Sequence, residues 1–371
     1  MIITRYSATN LRSINFVNIL PSKNINIVLG KNNDGKTSLL EGIYFASCLK
    51  SFKPVDSQLL IKHNQSALQV LLNVTKSNYN HVITIENRLN SVKIAKVDDT
   101  KTNIKSLMLM FPAIALSFGT ENIVLQTSEH RRKLLDWGAF HVEPSYLDLH
   151  KSYLKTIKQR NSVLKQGNKD GLDVWTNKLG LLGDKIDIKR AEYFSVLNEQ
   201  FSKYKDIIKS YDNSVYTDIS NSTIKYSPGW NTTLPLTEVL MASMDKDLAL
   251  KYTTRGPHRA DITFTALEND LKNTSSMSTQ IITSLLIILS QSEVFHVKHG
   301  FRPIILIDDL FFGIDDNNLR LVINLLVDSK TQCFITAPDL YTEKLMNMCA
   351  NEQDIKIFKF NDKKAIEEIN G

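Results

Sequence analysis

Eight consecutive residues carry the clearest chemistry in this chain. Gly30-Lys31-Asn32-Asn33-Asp34-Gly35-Lys36-Thr37, followed by Ser38, fits the spacing G-x-x-x-x-G-K-[ST]. These types suit a loop that wraps phosphate. Gly30 and Gly35 let the backbone turn so that successive N–H groups face phosphate oxygens, and a helix starting behind them adds its positive end. In such a loop Lys36 reaches the β- and γ-phosphates, and the Thr37 hydroxyl ligates Mg²⁺. Asn33 stands where many of these loops carry another glycine, and Asn enters the left-handed region more readily than most residues. Asp34 sets a carboxylate beside an anion site and is expected to point outward. Gly30 to Ser38 are therefore the candidate ATP-binding residues, with Lys36 also a candidate catalytic residue.

A second group is Asp308-Asp309, directly after Pro303-Ile304-Ile305-Leu306-Ile307. The apolar run is short and rich in β-branched residues, which predicts a buried strand. An acid at the C-terminal tip of such a strand can hold the water shell of Mg²⁺. Asp308 is the candidate on the metal side, and Asp309 the candidate for polarising an attacking water. Alone, the pair would read as a solvated turn; the phosphate loop gives it the second meaning.

The elements that position these groups follow from periodicity. Asn26–Leu29 predicts a strand ending at Gly30. Ser38–Cys48 predicts a helix with Leu39, Leu40, Ile43 and Tyr44 on one face. Residues 68–74 and 82–87 predict strands joined by a turn. From Ser128 the pattern turns helical. Tyr146, Leu149, Tyr153 and Ile157 recur at helical spacing, and Gln166–Gly171, including Asn168, breaks the helix. Trp175, Leu179, Leu182, Ile186, Tyr193 and Val196 then follow steps of three and four, with a lapse at Lys189, as in an a/d seam. The result is an antiparallel hairpin, either a protruding arm or a helical domain packed on the rest. Strands are expected at Ser222–Tyr226, Asp261–Phe264 and Thr331–Thr336, and a helix at Thr279–Phe295.

Composition sets the class. The chain has 371 residues, 42% hydrophobic and 23% charged, which excludes wholesale disorder and allows two or three domains. No unbroken apolar run reaches the ~18–20 residues that span a bilayer, so no membrane role is expected. Cys48, Cys333 and Cys349 show no disulfide or zinc spacing, and the expected compartment is a reducing cytosol. Lys and Arg number 45 against 39 Asp and Glu, an excess of +6 that permits nucleic-acid binding without requiring it.

The phosphate loop and the acid pair lie about 270 residues apart, much farther than in a compact P-loop enzyme. An N-terminal and a C-terminal segment forming one head around a helical insertion is the layout of structural-maintenance and recombination ATPases. Several stretches resemble the bacterial RecF family of recombination-repair proteins. They are Leu11-Arg12-Ser13, the loop running into Ser38–Tyr44, Lys50-Ser51-Phe52-Lys53, His130–Gly138 and Lys158-Gln159-Arg160-Asn161. Gly256-Pro257-His258-Arg259-Ala260-Asp261, Asp308-Asp309 and Gly313-Ile314-Asp315 complete the set. Gly-Pro-His-Arg-Ala-Asp and Arg-Arg-x-x-Leu-Asp are the most specific of them.

The resemblance implies an α/β fold: an ABC/SMC-type P-loop ATPase head with an inserted α-helical arm. Residues 1–120 would form the N-terminal head segment, 121–212 the arm and 213–371 the C-terminal head segment. It implies ATP and Mg²⁺ as ligands, an ATP-dependent homodimer, and slow, DNA-stimulated hydrolysis acting as a switch. It also implies binding to duplex or single-strand/double-strand junction DNA, RecR with RecO and RecA as partners, and a cytoplasmic, nucleoid-associated location. Arg131, Arg132, Lys133 and Arg259 are the candidate DNA contacts, although consecutive cations are also what a solvated helix face looks like.

One departure stands out. The class carries Ser-x-Gly-Gln before the helix preceding the acid strand, where it meets the γ-phosphate held by the other subunit. Here the stretch is Ser275-Ser276-Met277-Ser278-Thr279-Gln280. Without a gap Ser276 keeps the serine while Ser278 replaces Gly; with a one-residue gap Ser278 and Gln280 take those roles. A DNA-binding scaffold with a decayed ATP site is therefore a rival reading. An OLD-type nuclease would need further metal-binding carboxylates, and a transporter ATPase would lack a helical insertion of this length.

Overall fold

The computed structural model describes residues 1–118, 122–167, 169–211, 216–311, 313–349, 354–360 and 366–369. The chain forms two compact units, Met1–Asn122 with Phe295–Gly371, and Ile123–Val294. The expected boundaries at 120/121 and 212/213, and Asn168 in the expected helix break, fall at or on residues outside the described ones.

The first unit draws on both ends of the chain and holds two sheets. One is mostly parallel, in the order Ile366–Ile369, Ile355–Phe360, Ile25–Gly30, Cys333–Pro338, Ile304–Asp308, Ala113–Ser117. Its central strands are apolar almost throughout because both faces are covered; every residue of Ile25–Gly30 and Ile304–Asp308 is buried. The other sheet, which contains strands Ile2–Leu11, Ala67–Lys76 and Tyr79–Arg88, is antiparallel and alternates. Leu68, Val70, Leu72 and Val74 point inward from the strand Ala67–Lys76. Its hairpin turns at Ser77 and Asn78, both at positive φ, which matches the right-handed strand twist.

Helix Lys36–Cys48 shares one apolar cluster with both sheets, including Val70, Leu72, Leu306 and Phe334. That cover explains why the helix is wider in its burial than the expected stripe. Phe45 and Ala46 are buried as well as Leu39, Leu40 and Ile43, whereas Tyr44 is only partly covered.

The second unit is built on helices Ser128–Val142, Tyr146–Gln166 and Leu172–Tyr211, with a small antiparallel sheet of Ser222–Ser227, Asp261–Ala266 and Asn269–Asp270. Residues 213–294, expected with the C-terminal head segment, group here with the helices. Buried polar ties do this. Arg160 donates to Asp247 at 2.7 Å and to the Thr253 hydroxyl at 2.8 Å. Asn161 accepts from the Thr253 amide, and Asp184 from the Leu236 amide.

Helix Met277–His299 has the length and composition of a membrane span, yet 83% of its apolar window is buried in the fold, as in a core helix. Thr283, Ser284, Ser290 and Gln291 are buried along it.

The Arg160–Asp247 pair has both side chains fully covered, so removing one partner strands a buried charge. Asp247→Ala is expected to lower the unfolding free energy by about 3–5 kcal/mol. Lys203→Ala, which breaks the exposed pair with Glu199, should cost less than about 1 kcal/mol. Urea denaturation of both variants measures the contrast; equal effects would refute the assignment of Arg160–Asp247 as an internal tie.

Candidate functional site

Sheet order brings the two distant motifs together. Strand Cys333–Pro338 lies between Ile25–Gly30 and Ile304–Asp308, parallel to both. Thr336 stands opposite Val28, and Ile335 opposite both Ile27 and Ile307. The tips of the three strands therefore end together, with the loop Lys31–Gly35 and the acid pair at the same edge.

Asp308 is the centre of this edge and is only 2% exposed. The Thr37 hydroxyl lies 2.9 and 3.0 Å from its two carboxylate oxygens. The Thr336 hydroxyl donates to the same carboxylate at 2.8 Å and accepts from the Asp309 amide at 2.9 Å. Lys53 Nζ lies 3.9 Å away. Burial, then the neighbouring Asp309 carboxylate, push the Asp308 carboxyl up; the hydroxyl bonds and Lys53 pull the other way. Asp309 sits in the left-handed region at φ 57 and is half-buried. The turn after the strand thus gives the two acids different settings, Asp308 buried and Asp309 half-buried beside it.

The loop is arranged as its residue types predict, with one correction. Gly35 has φ 113, and a Cβ there would meet Ile14 at 2.9 Å, so both conformation and space call for glycine. Asn33 takes φ 71. Lys31, Asn32 and Asn33 are exposed, and Lys36 and Ser38 are buried. Lys36 Nζ donates to the carbonyls of Gly30 and Lys31 at 2.7 and 2.8 Å, arching across the loop. Asp34 was expected to point outward. Instead its carboxylate folds back and accepts from the Lys31 amide at 2.6 Å, because a short acid can satisfy an N–H that the tight turn leaves without a carbonyl.

Hard oxygen donors, a hydroxyl and a carboxylate, converge at Thr37 and Asp308, the donor set that suits Mg²⁺. The glycine-shaped turn, the helix start at Lys36 and the arched ammonium suit a polyphosphate.

Three of the stretches quoted above meet at another buried acid, Glu41, which is 1% exposed. Arg12 Nη2 and the Ser51 hydroxyl both bond its Oε1 at 2.6 Å. These residues brace the helix behind the loop. Thr336 escaped the sequence reading although its strand was expected; a polar residue at the tip of a strand next to the acid strand is the signal that could have found it.

The remaining candidates lie in the second unit. Ser276 is exposed and caps helix Met277–His299, accepting from the Thr279 amide at 3.2 Å. Gln280, the glutamine of the gapped alignment, is buried and its amide reaches the carbonyls of Leu271, Lys272 and Ser275. Arg131 is not an open cation: it grips Asp261 through two bonds of 2.7 Å and also bonds the Gln126 carbonyl. Arg132 donates to the Ala260 carbonyl at 2.8 Å. Lys133 is exposed and paired with Glu129, and Arg259 is exposed. The two most specific stretches are therefore bonded to each other. Arg190 ties them again, donating to Asp136 and to the Pro257 carbonyl, each at 2.7 Å.

This fold and this edge define an ABC-type ATPase head of the kind shared with SMC proteins. A solved structure of the recombination mediator protein RecF with ATP, from the RecFOR pathway, superposes with a TM-score of 0.79 at 24% identity, covering 100% of this chain and 98% of that one. The Smc head domain of Pyrococcus furiosus gives 0.55 at 14% identity, covering 99% and 96%. The DNA replication and repair protein RecF of Francisella tularensis subsp. tularensis is 31% identical over 340 residues, 89% of this chain and 94% of the relative. That of Nitrosococcus oceani is 29% identical over 339 residues, 91% and 92%. No family model matches. The chain belongs to the RecF family.

Thr336 both donates to a buried carboxylate and accepts from the Asp309 amide in the turn that follows it. Thr336→Val keeps the shape and removes both bonds, so a loss of about 1–3 kcal/mol in unfolding free energy is expected. Denaturant titration checks this; an unchanged midpoint would mean that Asp308 is held adequately by Thr37 alone.

Proposed function

We propose that this chain is an ATP-controlled DNA-binding protein of recombinational repair, working in the RecFOR pathway as an ATP-dependent dimer. The observation that carries the reading is the meeting of Thr37 and Asp308 across about 270 residues of sequence, at the mouth of a phosphate-type loop. Membership of the RecF family and the ATP in a structurally similar RecF support it.

In this reading Gly30–Ser38 hold ATP, with the loop amides on the phosphates and Lys36 released from its two carbonyls onto the β- and γ-phosphates. Thr37 and Asp308 hold Mg²⁺, which neutralises charge that builds on the phosphates when bound. Asp309, half-buried beside Asp308, orients water for slow hydrolysis. Ser276 at its helix N-terminus meets the partner subunit's nucleotide, with Ser278 in place of the usual glycine. Lys133 and Arg259, the two exposed members of the expected set, are the DNA contacts, and Arg131 and Arg132 serve the fold behind them. Duplex and junction DNA, RecR with RecO, and RecA are the proposed partners, in the cytoplasm at the nucleoid.

Lys36→Ala is expected to abolish ATP binding measured by titration calorimetry, with a modest fall in melting temperature because it also removes the bonds to the Gly30 and Lys31 carbonyls. Asp308→Asn should weaken Mg²⁺-dependent binding, whereas Asp309→Asn should bind normally and turn over slowly. Unchanged affinity in Lys36→Ala would sink the nucleotide assignment.

Binding to duplex DNA should need ATP and weaken steeply with salt, because each neutralised phosphate releases counterions. Dissociation constants at two salt concentrations, with and without ATP, test this. Affinity that ignores both variables would favour the scaffold reading.

A further inference from the structure

The second unit carries an open cleft of about 640 Å³, and of its lining only Arg259 has a role above. Its lining includes Trp230, Lys246, Tyr252, Arg255 and Arg259, and no acidic residue. Among the described residues Lys246, Arg255 and Arg259 make no ion pair. That sets them apart from the arginines nearby, since Arg131, Arg160 and Arg190 each hold a carboxylate. Arg259 lies over the Tyr252 ring, 5.1 Å from its centroid. Tyr252 is 41% exposed, so much of the ring stays open to a ligand. Trp230 is buried in the wall, and its indole N–H has no acceptor.

The cleft is also rigidly built. Arg259 enters its lining from the Gly-Pro-His-Arg-Ala-Asp stretch, and Arg255 and Thr254 from the residues just before it. His258 is half-buried with both ring nitrogens engaged, by the Tyr153 hydroxyl at 2.7 Å and the Thr253 carbonyl at 3.0 Å. Arg190 and Arg132 hold the Pro257 and Ala260 carbonyls. Gly229 packs against this turn so closely that a Cβ would meet the Gly256 carbonyl oxygen at 2.5 Å. The inner members of the stretch fix the backbone, and Arg259 within it and Arg255 just before it make no ion pair among the described residues. Three uncompensated cations beside aromatic rings repel one another unless an anion joins them. The volume is that of a small-molecule site rather than a duplex groove.

We propose that this cleft binds an unpaired nucleotide of single-stranded DNA, with the phosphates on Lys246, Arg255 and Arg259 and the base stacked on Tyr252. Stacking platforms beside cationic tracks are the general means of holding single strands without reading sequence. The proposal rests on the DNA-binding reading above and refines it: the cleft would give the protein its preference for a strand that leaves a duplex.

The test uses the full chain with ATP and Mg²⁺, and compares a blunt duplex with the same duplex carrying an oligothymidine overhang. The wild type should prefer the overhang. Tyr252→Ala and Arg255→Gln should each reduce overhang binding by about tenfold while binding blunt duplex as the wild type does, and Tyr252→Phe should keep the preference. An overhang containing 5-iododeoxyuridine should photocrosslink to Tyr252 or Trp230. Equal binding of the overhang by all variants, or crosslinks confined to other residues, would overturn the site and leave the DNA-binding reading standing. Thymidine monophosphate competing as well as the strand would make this a free-nucleotide site and overturn it too. An acidic peptide displacing the overhang better than oligothymidine would give the cleft to a protein partner and do the same. Loss of binding to both DNAs in the wild type would refute the DNA-binding reading and this one together.

Discussion

A carboxylate that is 2% exposed must be surrounded by donors, and the hydroxyls that bond Asp308 come from two separate parts of the chain. Thr37 begins a helix near the N-terminus, Thr336 ends a strand near the C-terminus, and the strand that carries Asp308 lies beside that of Thr336. Neither hydroxyl can bond it unless all three strand tips end at one level. The parallel register that aligns Val28 with Thr336 and Ile335 with Ile307 is therefore tied to the chemistry of the edge. The apolar sheet supplies the packing, and one buried acid ties its strand tips together. A divalent cation bound there would take over part of the compensation that the hydroxyls provide.

The second unit solves the same problem with arginine. Asp136, Asp247 and Asp261 are each held by a guanidinium, whose planar fork can satisfy a carboxylate with two parallel bonds, as Arg131 does for Asp261. These pairs do not need to stabilise the fold strongly to matter. Replacing either partner of Arg160–Asp247, where both side chains are fully covered, leaves a buried charge, so that pair favours one arrangement of the helices over others that would pack the same apolar faces.

Much of this was legible in the sequence. The loop announced itself through residue types at fixed spacing, and the strand before the acid pair through an unbroken β-branched run. The hairpin helices followed from their apolar repeat, although Leu197 and not the expected Val196 is the buried member at its end. Other features were hidden for physical reasons. Arg131 read as one of three surface cations because its partner Asp261 lies 130 residues away, and no local pattern reveals that a charge is paired. Asp34 was expected to avoid an anion site, but the local hydrogen-bond demand of the turn decided its direction. Residues 213–294 were assigned by order along the chain, whereas buried ties to the helices govern where they pack. Lys158-Gln159-Arg160-Asn161 was visible only as a resemblance, and Arg160 and Asn161 prove to be internal bonding groups.

The interleaved sheet also imposes a timetable on synthesis. Strand Ile25–Gly30 is made early, yet its two sheet neighbours are Cys333–Pro338 and Ile355–Phe360. Until those have left the ribosome its edges have no native partner. The antiparallel sheet uses only residues up to Lys101, and the second unit is a single continuous stretch, so both can gain structure while translation proceeds. The nascent chain thus carries an apolar strand with open edges for some 300 residues of elongation, which is a hazard for aggregation. The same delay means that a chain stopping before Cys333–Pro338 lacks the strand that sets Thr37 beside Asp308.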